Sequence, residues 1–103
     1  MNFLGLKDLG VIPKQIGTIL RSKARHAYLF GSVANGSAVP FESDVDVLIV
    51  PKSALSIDEA FELLKKPWEA LIEKGLVLRP IVFDPKRHPS WLLEAAKKGL
   101  VLV

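Results

Sequence analysis

Seven residues, 44-DVDVLIV-50, restrict the fold more than any other stretch of the chain. Successive side chains of a strand point to opposite faces. Val45, Val47 and Ile49 therefore share one wholly apolar face. Asp44, Asp46, Leu48 and Val50 share the other, which is acidic at its start and apolar at its end. Such a strand needs cover on both faces, with only the acidic entry left to water. A chain of 103 residues has room for one modest core. The expected fold is α/β (α+β): a small mixed β-sheet with helices packed on it, formed by residues 1–103 as a single domain.

The remaining elements follow from periodicity. Ile12, Ile16, Ile19 and Leu20 predict a helix over 12–23, with Pro13 acceptable in its first turn and Gly17 interrupting it. The run 26-HAYLF-30 predicts a strand ending at Gly31. Ser56 can cap a helix with the stripe Ile57, Ala60, Phe61, Leu64, Trp68, Leu71 and Ile72. Pro67 within it predicts a kink or two short helices on one face. The run 76-LVLRPIVF-83 predicts a third strand, at an edge or bulged, because Pro80 donates no ladder hydrogen bond. Ser90 is the expected cap of a last helix. The order is α-β-β-α-β-α, and the tail Leu100–Val103 could add a strand to this sheet or to a second copy of the chain, a homodimer.

Composition closes off several function classes. There is no cysteine, so a disulfide framework and a thiolate zinc site are both excluded. No apolar run approaches the roughly 20 residues of a membrane span, and the N-terminus does not read as a signal peptide, so a cytoplasmic protein is expected. Asn2, Gln15 and Asn35 are the only side-chain amides, which together with the lack of cysteine points towards a thermophilic source. The net charge of +3 could serve an anionic partner. However, Arg21, Lys23, Lys74, Lys97 and Lys98 fall at predicted helix C-termini, where cations favour the helix dipole. Nucleic acid is therefore not the expected partner.

Asp44 and Asp46 repel one another. With an effective dielectric of about 20 the repulsion is of order 2–3 kcal/mol at about 6 Å. Protonation of one acid, flanking cations, or a bound divalent metal could offset it. Carboxylate oxygens on a rigid strand suit Mg²⁺ or Mn²⁺, whereas a strand end fraying into solvent would leave two ordinary surface acids. Just upstream, Gly31 lets the backbone approach a ligand closely, and Ser32 offers a hydroxyl and an amide at a turn or helix start. That is either a phosphate seat or a plain strand exit. A phosphate cradle beside a two-carboxylate metal site is what nucleoside triphosphate chemistry needs.

Leu29-Phe30-Gly31-Ser32, followed by Ser43-Asp44-Val45-Asp46-Val47-Leu48-Ile49-Val50, resembles the signature of minimal nucleotidyltransferases of the DNA polymerase beta superfamily. The resemblance extends to the element order over essentially the whole chain. It implies Asp44 and Asp46 as catalytic Mg²⁺ ligands and Gly31 and Ser32 as the triphosphate-binding turn. It also implies transfer of a nucleoside monophosphate, usually AMP from ATP, to a hydroxyl. Small members of this type are often antitoxins paired with a helical HEPN-type toxin, and some add AMP to a tyrosine of that partner. An inactive member that only masks its toxin is the alternative.

Three features depart from the pattern. Asn35 stands where an arginine is frequent. The loop between Ser32 and Asp44 holds eleven residues, one more than usual, and contains Pro40. No carboxylate lies in the third strand, where Arg79 or Ile81 takes the expected place, and an arginine there would pair with Asp44 and Asp46. Asp84 lies past that strand, in a turn. His26 and His88 read as solvated or capping, Lys86 and Arg87 as a solvated loop, and Trp68 and Trp91 as core residues, or as partner anchors if exposed.

Overall fold

The computed structural model describes residues 2–103. Helix α1 (Ile12–Leu20) leads into strand β1 (Ala24–Phe30). Strand β2 (Asp44–Pro51) follows a loop, then come helices α2 (Ile57–Leu63) and α3 (Lys65–Ile72). Strand β3 (Val77–Val82), helix α4 (Ser90–Lys97) and the two-residue strand β4 (Leu100–Val101) complete the chain. The sheet order is β3-β2-β1-β4. β1 runs antiparallel to β2 and β4, and β2 parallel to β3.

Both faces of β2 are covered, as its sequence requires. On one side Val45, Val47 and Ile49 meet Ile12, Ile16 and Leu20 of α1, Ala60 of α2, Leu71 of α3 and Leu64 between those two helices. On the other, Leu48 and Tyr28 pack beneath Ala96, Leu92 and Leu93 of α4. This second cover lies over Leu48 and beyond, and Asp46 and Asp44 lie outside it. A register shift between Ala24 and His26 lets Ala24 and Ala27 face the same core despite their odd spacing.

The proline expectations are met with one refinement. Pro80 does sit on an edge strand, and its register with β2 runs on without a bulge. The 57–72 helix does split in two, but at Leu64 rather than at Pro67. A proline clashes with the carbonyl four residues back, here that of Leu63, so the break falls ahead of it and Pro67 ends up in the first turn of α3. Ser56 and Glu59 form the reciprocal cap of α2: the Glu59 N–H donates to Ser56 Oγ at 3.1 Å and the Ser56 N–H to Glu59 Oε1 at 3.2 Å.

Other expectations need correction. Helix α1 stops at Leu20, and Arg21 follows as its C-cap. Gly17 is no interruption: a Cβ there would lie 2.5 Å from the Leu102 carbonyl oxygen, so the glycine admits the C-terminal tail. Ser90 is the first residue of α4 rather than its cap, because Pro89 already holds the extended cap conformation. Trp91 is 68% exposed and Trp68 is also exposed, as are Ile57, Phe61 and Ile72. The apolar stripe is wider than the core strip it faces, so only Ala60, Leu64, Pro67 and Leu71 are buried. Among the described residues, no helix is long and apolar enough to cross a membrane.

Candidate active site

The site forms where the β1 exit, the β2 entry and the first half of β3 come together. Phe30 pairs with Asp46 across β1 and β2, while Val77 and Arg79 stand beside Asp44 and Asp46 across β2 and β3. The sequence-predicted residues Gly31, Asp44 and Asp46 are thus adjacent in space, with Ser32 next along the turn. The contact between Gly31 and Asp46 is tight. Gly31 has φ +87°, and a Cβ on it would lie 2.6 Å from Asp46 Oδ2. Only glycine accepts both that backbone conformation and that approach.

Residues 31–36 form a turn and not a helix start. The Asn35 N–H donates to the Gly31 carbonyl at 3.2 Å, and the Ser37 N–H to the Ser32 carbonyl at 2.9 Å. The loop beyond is strapped by the N-terminal segment: Leu4 and Ala38 exchange backbone hydrogen bonds of 2.8 and 3.1 Å. Ser43 Oγ accepts the Val39 N–H at 2.8 Å and closes the turn leading into β2.

Arg79 occupies the place in register with Asp46, as one sequence alternative anticipated. Its Nε donates to Asp46 Oδ1 at 2.8 Å and lies 4.0 Å from Asp44 Oδ2. The three side chains differ in exposure: 58% for Arg79, 44% for Asp44 and 15% for Asp46. Burial pushes the pKa of Asp46 above the ordinary carboxylate value. The Arg79 charge and hydrogen bond pull it back, and Asp44 adds a smaller upward push, but desolvation dominates. Asp46 is thus a half-buried acid held in place by a solvated cation.

Asp84 does not join this group. It lies five residues beyond Arg79, about 16 Å for an extended chain. There it organises a turn: its Oδ1 accepts the Lys86 N–H at 2.9 Å and its carbonyl the His88 N–H at 2.8 Å. His88 Nδ1 in turn accepts the Asp84 N–H at 3.0 Å, so the capping reading of that histidine holds.

Among the described residues, no three His, Cys, Asp or Glu side chains form a closed metal site. Two carboxylates nevertheless suit Mg²⁺, which typically keeps several waters and binds through one or two carboxylates plus substrate phosphates. Asp44 and Asp46 are the two residues that could supply that donor set, although Arg79 holds Asp46 Oδ1 in this structure. A groove of ≈ 800 Å³ runs along β3 from Arg79 past Pro80 and Val82 to Asp84, Arg87 and His88, and meets the site at Arg79.

Sequence reasoning missed two exposed apolar side chains, Val77, which pairs with Asp44 across β2 and β3, and Phe41, three residues ahead of Asp44 in the loop. The longer loop and its Pro40-Phe41 pair were the signal available.

The chain belongs to the nucleotidyltransferase domain family, a class of nucleotidyl-transferring enzymes, whose family model matches residues 13–97. Nucleotidyltransferases generally use divalent metal ions. A Methanocaldococcus jannaschii protein named "Putative protein adenylyltransferase MJ0141" is 32% identical over 87 residues, covering 84% of this chain and 87% of that protein. A solved structure described as a toxin–antitoxin with AMP-PNP superposes with a TM-score of 0.61 at 22% identity, covering 88% of this chain and 72% of the matched chain. It shows the shared fold.

Proposed function

We propose that the chain transfers AMP from ATP to a hydroxyl group of a protein, with Asp44 and Asp46 holding Mg²⁺ or Mn²⁺ and the Gly31-Ser32 turn receiving the triphosphate. The observation that carries this reading is the placement of Asp44 and Asp46 at the uncovered end of the sheet, with the Gly31 backbone against Asp46. The acceptor oxygen bonds to the α-phosphorus, the bond from that phosphorus to the bridging oxygen breaks, and pyrophosphate leaves with the bond electrons. When bound, the metal neutralises charge on the phosphate oxygens. The chain's own groups orient the triphosphate: the Gly31 turn admits it closely, and Arg79, displaced from Asp46, adds a cation at its flank.

With Arg79 in place of a third carboxylate, the acceptor's proton passes to solvent water rather than to a side chain of the site. That favours a phenolic hydroxyl, more acidic than an aliphatic alcohol, so tyrosine is the acceptor suited to this site. The groove beside β3 is where the acceptor segment would approach. The name of the archaeal relative supports protein as the acceptor class. The reading extends to a helical HEPN-type partner that this chain would serve as antitoxin in the cytoplasm; the matched structure's description as a toxin–antitoxin is in line with a partner of some kind.

A second reading is a nucleotide-binding module without catalysis, favoured by the 2.8 Å Arg79–Asp46 contact in place of a third carboxylate. Label transfer from α-labelled ATP into lysate of the source organism separates the two. Label on an acceptor with wild type but not with the Asp44→Asn, Asp46→Asn double variant supports the enzyme. No label in either lane, with ATP binding retained by calorimetry, supports the module.

A further inference from the structure

The rim of the acidic site carries a side chain that the fold does not use. Phe41 is 89% exposed, so it contributes nothing to either core cluster. It is also the only non-glycine residue with positive φ among the described residues, at 69°. A bulky side chain rarely takes that conformation, whereas glycine or asparagine would adopt it readily. The surroundings hold it there. Its N–H donates to the Gly75 carbonyl at 2.7 Å. Gly75, itself at φ +78°, leaves room for the ring, since a Cβ there would stand 3.2 to 3.3 Å from three ring carbons. The isolated chain thus accepts strain and a largely exposed aromatic at one position, with only the Gly75 backbone against the ring. Strain of this kind concentrates at ligand sites.

Its place relative to the acids narrows the ligand. Phe41 precedes Asp44 by three residues, which can span at most about 11 Å. Its partner Gly75 lies two residues before Val77, whose Cα pairs with Asp44 across the strands. Val77 shares the sheet face of Arg79 and is exposed. Val77 thus stands beside Asp44 on the face of the acids, and the Phe41 ring, seated against Gly75, lies towards the same end of the sheet, outside the cluster beneath α4. A triphosphate held at Asp44 and Asp46 carries a sugar and a flat aromatic base, and the Phe41 ring offers the base an aromatic face.

We propose that Phe41 is the stacking platform for the base of the bound nucleotide, with Val77 extending the apolar surface, so that this loop sets affinity for nucleoside over bare polyphosphate. The proposal rests on the nucleotide reading above. Stacking is tolerant of base identity, so the platform raises affinity for a nucleotide over bare polyphosphate without a hydrogen-bond code for the base.

Calorimetry on the full chain with two probes, Mg²⁺·AMP-PNP and Mg²⁺·tripolyphosphate, tests it. Wild type is expected to bind AMP-PNP more tightly than tripolyphosphate. Phe41→Ala is expected to weaken AMP-PNP at least about 5-fold, the low end for loss of one base stack, and to leave tripolyphosphate unchanged. Phe41→Tyr should restore nucleotide affinity. Phe41→Gly, which relieves the backbone strain and so keeps the fold, should match Phe41→Ala. Unchanged AMP-PNP affinity in Phe41→Ala overturns the proposal, as it would if the ring served a protein partner. Equal loss of both probes also overturns it. Failure of wild type to bind either probe overturns the nucleotide reading, and the platform with it.

Discussion

At the scale of single residues, the site is a contest between burial and charge, and Asp46 decides it. Because burial raises its pKa, the folded chain holds the proton more tightly than the unfolded chain does. The stability this residue contributes is therefore fully present below the unfolded carboxylate value, near pH 4, and is lost as pH rises through the folded value. In metal-free buffer at pH 7, Asp46→Asn removes an unfavourable buried charge. It forfeits only an ion pair with an exposed arginine, worth under about 1 kcal/mol. Thermal melts should show Tm unchanged or raised, while AMP transfer is lost; a Tm lowered by more than about 5 °C would mean that the Arg79 pair outweighs burial. Arg79→Asp makes the complementary test. It places a third carboxylate in register with Asp46, lowering Tm in chelator through like-charge repulsion and restoring it with Mg²⁺. If a missing proton acceptor limits the rate, transfer should rise about 10²-fold, the lower range for a positioned general base. A rate that stays flat would move the limiting step away from proton removal.

At the scale of elements, local chemistry and tertiary packing pull in different directions. Gly17→Ala shows which wins. In an isolated helix alanine is favoured over glycine by about 1 kcal/mol. Here the added Cβ would sit 2.5 Å from the Leu102 carbonyl oxygen. The tail cannot easily yield, since the N–H groups of Leu102 and Val103 both donate to the Ala27 carbonyl, at 2.8 and 3.2 Å. Overpacking of this kind typically costs about 1–3 kcal/mol, so Tm should fall despite the better helix former; a Tm that rises would mean the tail moves freely. The same contrast explains what the sequence made legible. The strands, the paired acids, the division of the 57–72 helix in two and the arginine in place of an acid were readable, because periodicity, parity and proline sterics act locally. The tail seated on Gly17, the strap from Leu4 to Ala38 and the strained Phe41 were not, because each depends on a partner distant in sequence. Trp68 and Trp91 were misplaced for a related reason: hydrophobicity says which face could be buried, not how much neighbouring surface exists to bury it.

At the scale of the whole molecule, an uncovered acidic end on a small sheet couples ligand binding to folding. A ligand that binds only the folded chain stabilises it by RT ln(1 + [L]/Kd), about 2.7 kcal/mol at one hundred times Kd. A domain of about 100 residues gains at least about 4 °C in Tm per kcal/mol, so saturating ligand should raise Tm by roughly 10 °C or more. Mg²⁺ alone has two carboxylates and a competing arginine to work with, and should give little shift. AMP-PNP in chelator should also give little, because the triphosphate then meets Asp44 and Asp46 as bare negative charges. Only the two together complete the donor set, so a cooperative shift is the signature of a site built for a metal–triphosphate pair. The Asp44→Asn, Asp46→Asn double variant should melt at the same temperature with and without Mg²⁺·AMP-PNP. If AMP-PNP shifts Tm equally well in chelator, Arg79 rather than the acid pair is the anchor, and the metal-free binding module becomes the correct description of this chain.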